Sequence, residues 1–300
     1  MIDAHPDSVV RVGERQVALK VHRCNWSRAH PENSLSALDE CARERVLRVE
    51  IDVQMLRGSG WAVFHDDRFD KATTARGRVA DATAVELSRA RFRGTNERVP
   101  LLSEALALVA NAPFPRLIEL DLKAGPPIPW PRVEELARSV EAVRDRIVFG
   151  TTADWNLRRL LAVDAALPVS LNPHAYIDFG DRDGTLPVGA YGYLDAHPLA
   201  RRRVSGGVND YLRDRFGALL RIVPGTREAH LRLRFFEKML DDGVADAAEI
   251  FHEQRVKVDV WTVDAGTARW RARVARVVAA GVDIVTTNTP RELAEAIRSL

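Results

Sequence analysis

The sequence is poor in everything that would mark a secreted, membrane-spanning or nucleic-acid-binding chain. Among 300 residues there are two cysteines, Cys24 and Cys41, which do not make a disulfide framework. The first residues, MIDAHPDSVVRVGERQ, lack an apolar signal core, and no later run approaches membrane-span length. A cytoplasmic protein with no membrane-spanning segment is expected. The net charge is only +2, with both signs interspersed and no basic stripe carrying interleaved aromatics, so nucleic acid is not an expected partner. Repeats, linkers and low-complexity tracts are missing too, which leaves one domain over residues 1–300 as the simplest division. What remains is a chain with 46% hydrophobic residues, enough for a substantial core, at a length that α/β barrels reach as one domain.

The most informative stretch is Arg48–Asp67, RVEIDVQMLRGSGWAVFHDD. Arg48–Val53 has the pattern of a strand, and its period of two sends Glu50 and Asp52 out of the same face. Two carboxylates that close repel one another unless one protonates or a cation sits between them. A polar, half-exposed strand face is the plainer reading. The link Arg57-Gly58-Ser59-Gly60 to the apolar run Trp61–Phe64 is too short for a parallel crossover, so the two runs predict an antiparallel hairpin. That folding brings His65 within reach of Glu50 and Asp52. Two carboxylates and an imidazole from one hairpin suit either a divalent-metal site or acid–base chemistry.

Around this hairpin, strands and helices alternate. Val17–Val21 predicts a strand ending at His22-Arg23. Ser34–Val46 carries apolar residues at helical spacing, with Asn33 suited to the N-cap. Arg68–Gly94 is polar and turn-rich, with a short helix near Thr83–Arg89, and Val99–Asn111 predicts a helix capped by Ser103. Arg116–Lys123 is a clear strand with Glu119, Asp121 and Lys123 on one face; three charges there require partners of both signs. Helix and strand continue at Val133–Val143, Ile147–Gly150, Asn156–Val163 and Pro168–Leu171. Over Asn172–Gln254 the pattern weakens: Gly180–Gly192 and Ser205-Gly206-Gly207 resemble loop, and one strand belongs at Leu219–Val223 or Leu231–Phe236. Asp246–Gln254, Val256–Val263, Thr267–Ala280, Asp283–Thr287 and Pro290–Leu300 complete the alternation. Leaving out the hairpin arm, eight strands alternate with helices, the pattern of a single (β/α)8 TIM barrel with a β-hairpin excursion after strand 2. In such barrels the site lies at the carboxyl ends of the strands, where this chain carries His22-Arg23, Glu50/Asp52, Asp121/Lys123, Trp261 and Thr287-Asn288.

These residues resemble the glycerophosphodiester phosphodiesterase family. The resemblance runs through His22-Arg23, Pro31-Glu32-Asn33-Ser34, Glu50-x-Asp52-Val53, His65-Asp66, Thr73-Thr74-x-x-Gly77 and Val99-Pro100-Leu101-Leu102-Ser103-Glu104. It continues through the strand ending in Lys123, Trp261-Thr262-Val263, Gly281-Val282-Asp283 and Thr287-Asn288-x-Pro290. Each motif is weak alone; the ordered set is specific. The resemblance implies a metal-dependent phosphodiesterase releasing glycerol 3-phosphate and an alcohol from a small-molecule phosphodiester. Glu50, Asp52 and Asp121 would hold one divalent cation, Ca2+ or Mg2+. His22 and His65 would exchange protons, while Arg23 and Lys123 would bind the phosphate. His22 is expected as the acid and His65 as the base, and Trp261, at a strand end, is expected to line the pocket rather than to serve only as a core aromatic. Lyase chemistry forming a cyclic phosphate, as in sphingomyelinase D-like barrels, and a non-catalytic barrel binding a phosphorylated ligand are the alternatives.

The chain departs from the family pattern at several positions. Cys24 stands where Gly usually follows His-Arg, leaving a thiol expected beside the site. Asp121 replaces the usual Glu, with Glu119 as a fallback ligand, and Asp264 stands where the family often has Asn. Trp26 could cover an apolar group, His174 is expected to be a solvated loop residue, Glu32 is a borderline ligand, and His230 is given no role.

Overall fold

In a computed structural model that describes residues 3–178 and 207–300, ten strands form one closed sheet. They are β1 (Val9–Val12), β2 (Arg15–Val21), β3 (Arg48–Met55), β4 (Trp61–Val63), β5 (Leu117–Leu122), β6 (Ile147–Thr151), β7 (Val169–Leu171), β8 (Thr226–Arg232), β9 (Lys257–Trp261) and β10 (Ile284–Thr287). Eight of them, all but β1 and β4, pair in parallel, and β2 closes the ring by pairing with both β3 and β10. β4 is the hairpin arm expected from the Gly-rich link, antiparallel to β3 with Val53 opposite Val63.

Helices cover the barrel: α1 (Leu35–Arg43), α3 (Leu102–Asn111), α4 (Trp130–Ser139), α5 (Asp154–Val163), α6 (Val208–Leu220), α7 (Leu233–Asp241), α9 (Trp270–Ala279) and α10 (Pro290–Arg298), with two single turns, α2 (Ala84–Leu87) and α8 (Glu249–His252). One apolar core fills the shell between strands and helices. The turn-rich stretch after the hairpin closes over a smaller core of its own, with Phe64, Phe69, Leu87, Phe92 and Val99 buried.

Several expectations shift. β1 was not anticipated; it extends the sheet antiparallel to β2. Ser34, not Asn33, caps α1, its hydroxyl accepting from the Ala37 amide, because Asn33 is used at the site. Ser103 lies inside α3, whose first turn is closed by Glu104 accepting from the Leu101 amide at 2.9 Å. The strand sought at Leu219–Val223 or Leu231–Phe236 is Thr226–Arg232, while Leu219 lies in α6 and Phe235 and Phe236 in α7. Hydrophobic periodicity failed there because β8 turns Glu228 and His230 into the barrel while its other face offers only exposed Arg227, small Ala229 and Leu231. The loop expected at Gly180–Gly192, and Ser205-Gly206 after it, lie outside the described residues.

Candidate active site

Alternation on β3 sends Arg48, Glu50 and Asp52 inward, and register sets Asp52 beside Asp121 of β5. Glu50, Asp52 and Asp121 each bring one carboxylate oxygen within 4.8 Å of the others. Lys123 Nζ is 2.7 Å from Asp52 Oδ1 and also pairs with Asp121. Arg23 Nε lies 3.2 Å from the other Asp52 oxygen, which also accepts from Asn33 Nδ2 at 2.7 Å, while Asn33 Oδ1 accepts from the Asp52 amide at 3.0 Å. Asn33 therefore ties the loop after β2 to the acidic strand. Despite burial, Lys123 and Arg23 hold Asp52 below the usual carboxylate range.

Glu50 is placed differently. Its Oε2 accepts from the Arg23 amide at 2.8 Å, and its buried Oε1 has no hydrogen-bond partner among the described residues. Burial, with the Asp52 charge beside it, pushes its pKa well up. Burial also raises Asp121, with Glu119 and Asp52 adding to the rise. An all-oxygen set with an unmatched buried carboxylate oxygen fits a hard divalent cation.

The two histidines reach the same cavity, about 470 Å³ and lined also by Arg23, Glu50, Asp121, Lys123 and Trp261. His22 and Arg23 lie in the tight turn His22–Cys24 that ends β2. His22 Nδ1 is 2.9 Å from Asn288 Oδ1. Asp264 accepts from the Asn288 backbone amide at 2.7 Å and from its Nδ2 at 2.9 Å. A carboxylate can only accept, so Nδ2 must face Asp264 and Oδ1 must face His22. His22 thus carries its proton on Nδ1 and leaves Nε2 for chemistry. Burial and neighbouring Arg23 hold its pKa below the usual imidazole range. His65 Nδ1 is 2.8 Å from Asp66 Oδ1.

Other expectations are corrected. Glu32 is absent from the acidic cluster; its carboxylate pairs with Arg23 Nη1 at 2.8 Å. Glu119 is spoken for by Lys20 and by His230 Nδ1 at 3.0 Å, so it is not available as a substitute for Asp121. The Cys24 side chain is fully buried, its Sγ directed to the Glu50 carbonyl at 3.8 Å, so no thiol faces the cavity. Trp26 is buried away from it, edge-on to His5 with centroids 4.9 Å apart. The His174 ring is buried rather than solvated: Nε2 accepts from the Arg232 amide at 2.8 Å, and the ring stands edge-on to Trp261 at 6.3 Å. Burial and nearby Arg232 pull its pKa down to about 3.

What the sequence reading missed is a buried ionic layer under the mouth. Lys20 Nζ lies 2.5 Å from Asp259 and also pairs with Glu119. Arg48 meets Glu228 at 2.5 Å, and Thr286 donates to Asp259 at 2.9 Å. Burial alone would lower His230, but Glu119 carries its pKa up to about 9. Part of the signal was present: Lys20 precedes His22, Glu119 precedes Asp121 and Asp259 precedes Trp261 by two residues each, whereas Glu228 and His230 precede no such residue on β8.

The model of the Glycerophosphoryl diester phosphodiesterase family matches residues 22–292. A glycerophosphodiester phosphodiesterase of Caldanaerobacter subterraneus subsp. tengcongensis is 25% identical over 154 residues, 47% of this chain and 60% of that protein. One from Bacillus altitudinis is 32% identical over 88 residues, 27% of this chain and 36% of that protein. The chain thus spans less than two thirds of the length of these curated relatives. Among solved structures, an Oleispira antarctica phosphodiesterase in complex with the product sn-glycerol-3-phosphate superposes with a TM-score of 0.65 at 18% identity, over 93% of this chain and 96% of that one. The Thermotoga maritima glycerophosphodiester phosphodiesterase gives 0.60 at 16% identity, over 93% and 97%. The barrel is shared with these structures, and on the family match over residues 22–292 the chain belongs to the glycerophosphoryl diester phosphodiesterase family.

Proposed function

We propose that this chain is a metal-dependent phosphodiesterase that hydrolyses glycerophosphodiesters to glycerol 3-phosphate and an alcohol. The observation that carries the reading is the convergence, in a chain of this family, of Glu50, Asp121, His22, His65, Arg23 and Lys123 on one cavity, with buried Asp52 clustered behind the two carboxylates. Glu50, Asp52 and Asp121 would hold one divalent cation, Ca2+ or Mg2+, which when bound supplies positive charge to the non-bridging phosphate oxygens. Arg23 and Lys123, already ordered by Asp52, add further positive charge where negative charge builds up during displacement at phosphorus. Trp261 offers an apolar wall to the glycerol carbons.

The partners of the histidines divide their roles. Asp66, a carboxylate that can only accept, fixes the His65 ring through Nδ1 and leaves Nε2 towards the cavity, which suits a proton donor to the leaving alcohol. The neutral amide of Asn288 behind His22 leaves Nε2 as an acceptor for a proton from water. This reverses the order expected from the sequence, because neither Asp66's contact nor Asn288's orientation is readable from motif order.

Product analysis by phosphorus NMR tests the reading. Glycerophosphocholine should yield glycerol 3-phosphate and choline. A cyclic phosphate would instead favour lyase chemistry, and no turnover with either cation would favour a binding barrel.

A further inference from the structure

We propose that a second groove beside the catalytic cavity receives the leaving alcohol, and that it selects alcohols bearing their own phosphate monoester through Arg93. The inference rests on the hydrolytic reading above and deepens it. The groove encloses about 390 Å³ and shares Arg23 and His65 with the catalytic cavity, so a phosphodiester bound between the histidines has one substituent on each side. Its basic walls are Arg28 and Arg93, with the His30 imidazole also lining it.

The charges around this groove are matched with one exception. Arg23 pairs with Glu32, Arg28 with Glu292 at 2.5 Å, His30 with Glu97 at 3.7 Å, and His65 with Asp66. Arg93 makes no ion pair among the described residues. Its Nε donates to the Lys71 carbonyl at 3.0 Å and its Nη2 to the Asp70 carbonyl at 2.9 Å. Carbonyls orient a guanidinium without neutralising it, so the fork is pre-ordered and its charge is unspent. The surrounding lobe leans the same way: residues 57–98 hold nine Lys or Arg against six Asp or Glu.

A cationic alcohol such as choline is the competing guest, and it needs an open aromatic face or a free carboxylate. Phe64 and Phe92 are 3% and 6% exposed, packed into the lobe's own core, and Glu32 and Asp66 are already paired. An anion therefore fits the groove better.

The test compares glycerophosphoinositol with glycerophosphoinositol 4-phosphate, which differ only by the second phosphate. The wild-type chain should favour the phosphorylated compound in kcat/KM by about tenfold, the scale of one charge-assisted contact near solvent. In Arg93→Gln that ratio should fall towards one, and in Arg93→Glu below one, with Arg93→Lys between Gln and wild type. Raising ionic strength from about 0.1 M to 1 M cuts the screening length from about 10 Å to 3 Å, and should shrink the wild-type ratio more than that of Arg93→Gln. Because each variant is scored by a ratio, a loss of folded protein cancels. A wild-type ratio at or below one, or a ratio that Arg93→Gln and Arg93→Glu leave alone, would overturn the inference while leaving the hydrolytic reading intact. Turnover of glycerophosphocholine but of neither inositol compound would overturn the inference alone, and turnover of none of the three would overturn both.

Discussion

Asp121 and Glu119 sit two residues apart on one strand and answer to different cations. Asp121 faces Glu50 and Asp52 at the mouth, whereas Glu119 is held by Lys20 and His230 a layer below. Asp121→Asn should therefore weaken divalent-ion binding and activity, while Glu119→Gln should act first on stability, by leaving Lys20 short of one partner in a buried site. The reverse pattern, in which Glu119→Gln costs more ion affinity than Asp121→Asn, would show that the layers are assigned wrongly. The histidines give a second test at this scale. A positioned imidazole contributes roughly 10²–10⁴-fold to rate, so either His→Ala change should lower kcat by that order. With a nitrophenyl ester, whose alcohol leaves unaided, the variant lacking the general acid should recover most of its rate. The hydrogen-bond partners name His65→Ala as that variant; recovery by His22→Ala instead would restore the order read from the sequence.

Strand β6 contributes a residue with no side chain, and that absence makes room for the ionic layer. A Cβ on Gly150 would lie 2.3 Å from Glu119 Oε1 and 3.1 Å from Ser170 Oγ, inside van der Waals contact. Gly150→Ala must displace a carboxylate that is itself pinned, so a loss of about 1–3 kcal/mol or more is expected, read from the urea midpoint. An unmoved midpoint would contradict this packing. The elements themselves were largely legible because most strands are apolar on their outward face and helices repeat at their own period. Legibility failed on Thr226–Arg232, where charged inward Glu228 and His230 alternate with an outward face of exposed Arg227, small Ala229 and a single large apolar residue, Leu231. β3 and β5 have charged inward faces too, but their outward faces are aliphatic. The candidate site positions stood out because motif order marks them, whereas Lys20, Glu119 and Asp259 owe their partners to strands far apart in sequence, which only the closed barrel brings together.

At the scale of the whole molecule, two buried histidines push stability in opposite directions with pH. His174 is held neutral, with its folded pKa near 3, so the unfolded chain binds more protons below its ordinary value of 6.5; that stability is complete above about pH 6.5 and is lost as pH falls from there towards 3. His230 is held charged, with a folded pKa near 9, so its contribution is complete below about pH 6.5 and is lost as pH rises through 9. Each limb is on the order of a few kcal/mol. Denaturant midpoints should peak near pH 6.5, with His174→Gln flattening the acid limb and His230→Gln the alkaline one; a flat profile in the wild-type chain would contradict both burials. The barrel carries all of this to one end, where the account depends on a single divalent cation among Glu50, Asp52 and Asp121. Titration of chelator-stripped protein with Mg2+ or Ca2+, read by calorimetry and by glycerophosphodiester turnover in the same samples, tests it most directly. The account predicts one ion per chain, activity returning in step with occupancy, and both weakened together in Glu50→Gln and Asp121→Asn. Full turnover by the stripped protein, or ion binding that neither substitution weakens, would contradict it.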